Sequence, residues 1–271
     1  MILDKITKAT RIRVEKAKLT HPLKELIDRI ESCDYMEGKK SYTRRQPFAF
    51  ETELRKNEDI SYICEVKKAS PSKGVIAEDF PYLDIAREYE EAGAQAISVL
   101  TEPEYFKGQD LYLAEISRAV SIPVLRKDFT IDQYQIYEAK AIGADAILLI
   151  CSLLDMGTLK SFLELSDELG LSALVEAHNE WEIDSAIQAG ARIIGVNNRN
   201  LHTFGVDINN SINLRNLVPK EIIYVAESGI SSNHDVMALK AANVNAVLIG
   251  ETLMISKDKK EQLMKLRGYT K

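Results

Sequence analysis

Eight short apolar runs, each separated from the next by an amphipathic stretch long enough for a helix, restrict this 271-residue chain more than any other feature. The runs are SYICEV (from Ser61), QAISVL, PVLRK, AILLI, ALVE, RIIGV, IIYVAE and AVLIG (ending at Gly250). Between them lie stretches such as LDIAREYEEAGA, DQYQIYEAKAIGA and EWEIDSAIQAGA, several of which end in a glycine break (Gly93, Gly143, Gly190) just before the next run. Strands that are apolar on both faces and alternate with helices belong to a parallel sheet covered by helices. A doubly wound sheet would carry a glycine-rich dinucleotide turn after its first strand, and KKASPSKG is not one. Eight such units in about 250 residues are the content of a closed (β/α)8 TIM barrel, which is the fold expected over residues 60–271.

Residues 1–59 precede the barrel. Ile2, Ile6 and Ala9 recur at helical spacing, as do Leu23, Leu26, Ile27 and Ile30 behind Pro22, whereas MEGKKSYTRRQPFAF (36–50) reads as a polar connector. The expectation is an N-terminal helical extension packed on the barrel and capping one end of it, within one structural domain overall.

Bulk composition narrows the function. With 41 acidic and 35 basic residues and a net charge of −6, the chain offers no broad nucleic-acid surface. Three unpaired cysteines (Cys33, Cys64, Cys151) and four histidines (His21, His178, His202, His234) lack zinc or disulfide spacing, so no metal is expected. The N-terminus lacks the apolar core of a signal peptide, and no run approaches membrane-spanning length, so a cytoplasmic protein with no membrane partner is expected.

In a barrel of this kind the chemistry sits at the C-terminal strand ends. The first strand ends in Glu65 and Lys67, one residue apart and therefore on one face. The third ends in Lys127, the fifth in Glu176, the sixth in Asn197 and Arg199, the seventh in Glu227, Ser228 and Gly229, and the eighth in Gly250. Isolated charges at strand ends are ordinary surface residues, but polar groups converging on one rim from at least five strands point to a ligand at the barrel mouth. Gly229 and Gly250, ahead of helix starts after strands seven and eight, suit a phosphate. Lys127, read as lying among the cations Lys67 and Arg199, is expected to have a lowered pKa and to serve as an acid, with Glu176 as base. A structural ring of ion pairs would use the same residues.

These segments together resemble the indole-3-glycerol phosphate synthase family. YICEVKKASPSKGVI, SVLTEPEYFKGQ, IPVLRKDFTIDQYQIYEAKAIGADAILLI, LVEAHN, IGVNNRNLHTFGVD, VAESGI and VLIGETLM match in order, across essentially the whole chain. The resemblance implies ring closure of 1-(2-carboxyphenylamino)-1-deoxyribulose 5-phosphate, with loss of carbon dioxide and water, in tryptophan synthesis and without a cofactor. It implies Lys127 as general acid, Glu176 as base or charge stabiliser, and Lys67 at the leaving carboxylate or in dehydration. Glu65, Asn197 and Ser228 complete the catalytic set. Arg199 and Glu227, with Phe106, Phe129, Leu148 and Leu201 around the aromatic ring, are the implied substrate contacts. Lys67, Ser70, Gly229, Gly250 and Glu251 are those implied for the phosphate. Glu251 stands where a small hydroxyl residue would reach the phosphate, so its carboxylate is expected to turn away and offer only its N–H. The extension would serve as a lid, and other tryptophan-pathway enzymes are candidate partners. The competing readings are a sugar-phosphate isomerase, a Schiff-base aldolase using Lys127, and a non-catalytic phosphate-binding barrel.

Overall fold

The computed structural model describes residues 2–34, 45–56, 59–200 and 203–269. Its centre is a closed barrel of eight parallel strands: β1 Ser61–Val66, β2 Ala96–Leu100, β3 Val124–Lys127, β4 Ala146–Ile150, β5 Ser172–Ala177, β6 Ile193–Asn197, β7 Ile223–Glu227 and β8 Ala246–Ile249. Each strand pairs with its sequence neighbours, and β1 closes the ring against β8. The sequence runs coincide with the observed strands to within a residue at each end.

Three helices precede the barrel, α1 Ile2–Thr20, α2 Leu23–Asp34 and α3 Ala49–Lys56. Around the barrel follow α4 Tyr82–Glu91, α5 Asp110–Ala119, α6 Gln133–Ala141, α7 Met156–Glu168, α8 Glu180–Ala189, α9 Asn209–Leu214, α10 Asn233–Ala241, the short α11 Glu251–Met254 and α12 Lys259–Leu266. No helix among the described residues is long and apolar enough to cross a membrane.

The two-residue period of a strand sorts the side chains into two cores. Tyr62, Cys64 and Val66 of β1 face the helices and join the shell core with residues such as Ile97, Val99, Val175 and Tyr224. Ile63, Leu125, Leu148, Leu174, Ile193, Val225 and Leu248 face inward and fill the barrel. Continuing that inward parity by two or four residues toward the C-terminal ends gives Glu65 and Lys67, Lys127, Ile150, Glu176, Asn197, Glu227 and Gly250. The apolar filling and the polar rim are one register, read at different heights.

The extension closes the barrel at both ends. At the floor, Phe50 and Leu54 of α3 are buried in the inner core beside Ile63, Ala96 and Ile193. The segment before α3 is fastened by Arg45, whose Nε donates to Asp145 Oδ2 at 2.7 Å, the same oxygen that accepts from the Val124 N–H at the start of β3. The polar-connector reading is therefore corrected at its C-terminal end. Residues 36–44 lie outside the described residues, but Phe50 belongs to a helix that plugs the barrel. Its helical partner Leu54, one turn on, lies beyond the end assigned to the connector.

At the mouth, α1 buries Ile6, Thr10 and Val14, spaced by one helical turn, and contributes Ile2, Leu3 and Ile6 to the wall of the central cavity. Arg13 holds Asp128 through both guanidinium nitrogens, at 2.9 and 2.7 Å, and Lys18 pairs with Asp132 at 2.6 Å. A two-pronged Arg–carboxylate contact fixes orientation as well as distance. Truncating the plug should be costly: Phe50→Ala should lower the free energy of unfolding by about 3–5 kcal/mol, read as a reduced urea midpoint with an unchanged slope.

Candidate active site

A cavity of about 480 Å³ opens at the C-terminal ends of the strands. It is lined by every residue proposed from the sequence for catalysis, substrate or phosphate except Leu201, which lies outside the described residues. Leu148, Phe106 and Phe129 come from β4 and from the loops after β2 and β3, with the two phenyl rings 6.0 Å apart and tilted by 40°. Ser228, Gly229, Gly250 and Glu251 come from the opposite arc, after β7 and β8, next to Ser70 in the loop after β1. The cavity thus has an apolar slot on one side and hydroxyl and main-chain groups on the other.

Lys127 stands between them. Its Nζ lies 3.2 Å from Glu176 Oε2 on β5 and 3.4 Å from Glu227 Oε2 on β7. The expectation of a lowered lysine pKa is overturned. Burial alone would discharge the ammonium, but Glu176, Glu227 and Glu65 outweigh it and push its pKa well above the ordinary lysine range. The cations Lys67 and Arg199 are engaged elsewhere. Lys67 Nζ is 2.5 Å from Glu65 Oε1, and the Arg199 guanidinium is 3.6 Å from Glu251 Oε2.

The two carboxylates on Lys127 have different surroundings. Glu176 has Lys127, His178 and the Asn197 side chain around it, and these hold its pKa below the usual carboxylate value despite burial. For Glu227, burial dominates. The Glu176 and Glu65 charges add to it, Lys127 opposes it, and the pKa is pushed up to about 7. Glu227 Oε1 is buried and has no hydrogen-bond partner among the described residues.

Two glycines make this packing possible. A Cβ at Gly195 on β6 would collide with Glu227 Oε1, and one at Gly250 would collide with Glu65 Oε1 and sit 2.9 Å from Lys67 Nζ. Gly195 was visible as a lone glycine inside a strand, which marks close approach of another group. Gly250 serves the Glu65–Lys67 pair as well as lining the cavity. Gly229 lies four residues ahead of α10, whose own cap ties up the Ser231 and Ser232 N–H groups on Asp235, so it does not lead straight into a helix start.

Ser228 lines the cavity with φ of 68°, a strained left-handed backbone for a serine, and its carbonyl accepts from Asn198 Nδ2 at 3.1 Å. Asn198, unremarked in the sequence, is buried and also accepts from the Ser211 N–H and hydroxyl. Asn197 Oδ1 accepts from the Arg199 N–H at 3.0 Å. Glu251 does not simply turn away: its carboxylate is held over the mouth by Lys73 at 3.1 Å as well as by Arg199. Glu102 was also missed. It accepts from the N–H groups of Glu104, Tyr105 and Phe106 and so shapes the loop that carries one slot phenyl. Among the described residues no cluster of three or more His, Cys, Asp or Glu is placed to hold a metal ion.

A family model described as indole-3-glycerol phosphate synthase matches residues 3–266. The chain belongs to the indole-3-glycerol phosphate synthase family. It is 58% identical to the indole-3-glycerol phosphate synthase of Ruminiclostridium cellulolyticum over 269 residues, covering 99% of both chains. It is 56% identical to that of Endomicrobium trichonymphae, over 98% of this chain and 100% of the other. Among solved structures, 3-hexulose-6-phosphate synthase from Salmonella typhimurium overlays 77% of this chain and 97% of its own with a TM-score of 0.63. A tryptophan synthase complex structure from Pyrococcus furiosus matches with a TM-score of 0.58. At 13% and 17% identity these two show the shared barrel alone.

The shifted Glu227 gives a stability prediction for this family member. Its folded-state pKa of about 7 lies above the usual carboxylate value, so its contribution is full at low pH and is lost as pH rises through 7. Glu227→Gln should therefore raise the melting temperature at pH 8.5, by roughly 2–4 °C per kcal/mol regained. At pH 4, below the usual carboxylate value of about 4.3, the two proteins should melt together.

Proposed function

We infer that the chain is a carbon–carbon lyase that converts 1-(2-carboxyphenylamino)-1-deoxyribulose 5-phosphate to indole-3-glycerol phosphate in the cytoplasm. The observation that carries the reading is Lys127 held as an ammonium by Glu176 and Glu227, between an aromatic slot and a hydroxyl-rich wall. In the proposed pose the carboxyphenyl ring lies in the slot formed by Phe106, Phe129 and Leu148. The phosphate lies across the cavity at Ser70, Lys67 and the main chain after β7 and β8.

Ring closure forms a bond between the aromatic carbon that bears the carboxylate and the substrate's carbonyl carbon. The carbonyl π pair moves to oxygen, and Lys127 protonates it. A raised pKa does not disqualify this lysine as an acid, because the alkoxide forming at that oxygen is a stronger base than any amine. Positive charge develops on the anilino nitrogen, and the ionised Glu176 stabilises it. Carbon dioxide then leaves and returns its bonding pair to the ring. Loss of water requires one proton delivered to the hydroxyl and one removed from the pyrroline portion. Lys67 and Lys127 are the candidate donors, and Glu176 is the candidate acceptor. Glu65 keeps Lys67 aimed into the cavity, Asn197 orients Glu176, and Arg199, Ser228 and Glu251 complete the mouth. The N-terminal end of α1, with Ile2, Leu3 and Ile6 in the wall, would limit water access as a lid.

The charge on Lys127 also weighs against a Schiff-base aldolase, since an imine-forming lysine must be neutral to attack. The test is turnover of the phosphorylated substrate in the presence of a chelator, followed by indole fluorescence. Lys127→Ala should lower kcat by about 10²- to 10⁴-fold, as expected for loss of a general acid, while inorganic phosphate still binds. Folded parent protein that yields no indole fluorescence would overturn the reading.

A further inference from the structure

Glu176 has two carboxylate oxygens, and only one of them is engaged by Lys127. The other, Oε1, lies 3.5 Å from Nε2 of His178. That nitrogen is buried and has no aligned hydrogen-bond partner in the resting geometry. His178 is two residues past Glu176 at the exit of β5 and is not among the residues lining the cavity. Anything it does for the reaction must pass through Glu176.

The imidazole is fixed from its far side. Nδ1 lies 3.0 Å from Glu182 Oε2, and the same oxygen accepts from the His178 main-chain N–H at 2.8 Å. Glu182 is itself locked at the start of α8: Asn179 Nδ2 donates to Glu182 Oε1, and the Glu182 N–H donates to Asn179 Oδ1, each at 3.0 Å. Lys127, Glu176, His178 and Glu182 therefore stand in a row.

A carboxylate can only accept, so the His178 nitrogen facing Glu182 carries a proton. Nε2 then has two options. In the neutral ring it would present a lone pair to Glu176 Oε1, acceptor against acceptor; in the imidazolium it turns a positively charged N–H toward that oxygen at ion-pair distance. The groups that face the ring favour the second. They are Glu176 from β5, Glu182 from α8 and Glu227 from β7, with the Lys127 ammonium beyond Glu176 and the Cys151 thiol beside Glu182. Burial opposes the charge, but the three carboxylates prevail and raise the His178 pKa.

We propose that His178 is a positioning residue that works as an imidazolium, holding Glu176 Oε1 so that Oε2 stays aligned on Lys127 and the substrate nitrogen. The proposal rests on the ring-closing reading of this site. Loss of the Nε2 proton would turn a donor into a repelling lone pair, release Glu176 and lower kcat on the alkaline side.

The test combines ring-nitrogen NMR on the full chain with pH profiles. The His178 signals, assigned by their loss in His178→Gln, should show both nitrogens still protonated above the usual histidine midpoint of about 6.5. Glu182→Gln, which can still serve the α8 cap, should move that midpoint down by roughly one pH unit or more. The alkaline limb of kcat should move by the same amount. His178→Gln keeps an amide donor but cannot titrate, so its profile should lose this limb. A His178 that is neutral at pH 6.5, or a limb unmoved by both substitutions, would overturn the proposal. If folded protein gave no turnover at all, the ring-closing reading would fall, while the NMR titration would still decide the charge of His178. Should His178→Gln fail to fold, Glu182→Gln carries both readouts.

Discussion

Everything at the mouth of this barrel is arranged around one buried ammonium held between two carboxylates. An unpaired Lys127 above a dry apolar interior would cost several kcal/mol or lose its proton. Glu176 and Glu227 prevent that, and each can reach it only because β3, β5 and β7 place their last inward residues at one height. The pairing of Glu176 with Gly195 and of Asn197 with Glu227 in adjacent strands sets that height, and the missing side chain at Gly195 leaves room for Glu227. Below, Phe50 and Leu54 plug the floor; above, α1 covers part of the mouth. The charged layer thus lies between two apolar closures, where electrostatic forces act at low dielectric.

Consecutive residues of β3 divide the labour. Lys127 points into the cavity, while Arg126 points into the helical shell and meets Asp110, Glu138 and, at 3.5 Å, Asp128. Asp128 also binds Arg13 of α1 and the Thr101 hydroxyl. Burial raises the pKa of its carboxyl, but Arg13, Arg126 and Thr101 outweigh burial and hold it below the usual range. The helix over the mouth is therefore anchored to the residue directly after Lys127, with Phe129 of the aromatic slot one step further on. Access to the site and the placement of its lysine and phenyl groups share a single short segment.

Much of this was legible in the chain itself. Apolar runs marked all eight strands, and their C-terminal ends pointed to Glu65, Lys67, Lys127, Glu176, Asn197 and Glu227 as groups at the barrel mouth. What those ends could not supply was adjacency across the ring. The nearest partners of Lys127 are 49 and 100 residues away in sequence, so reading Lys67 and Arg199 as its neighbours gave the wrong sign for its pKa. Phe50 was missed because the connector was read through to it, which cut it off from Leu54, its partner one helical turn on. Asn198 and Glu102 were missed because a side chain that organises loop N–H groups leaves no periodic trace. The four histidines were read only for zinc spacing, which they lack, so His178 received no role; its partners, one on β5 and one on α8, meet it only in the fold.

The arrangement of the mouth stands or falls with the ionisation of Lys127. Side-chain NMR of the protein labelled at lysine Cε and Nζ, with Lys127 assigned through Lys127→Arg, would follow its titration. Lys127 should remain an ammonium beyond the usual lysine value of about 10.4, with a lower midpoint in Glu176→Gln. A midpoint between about 7 and 9 in the parent, unchanged in Glu176→Gln, would contradict it, because Lys127 would then be a desolvated amine rather than the cation on which the arrangement of the mouth depends.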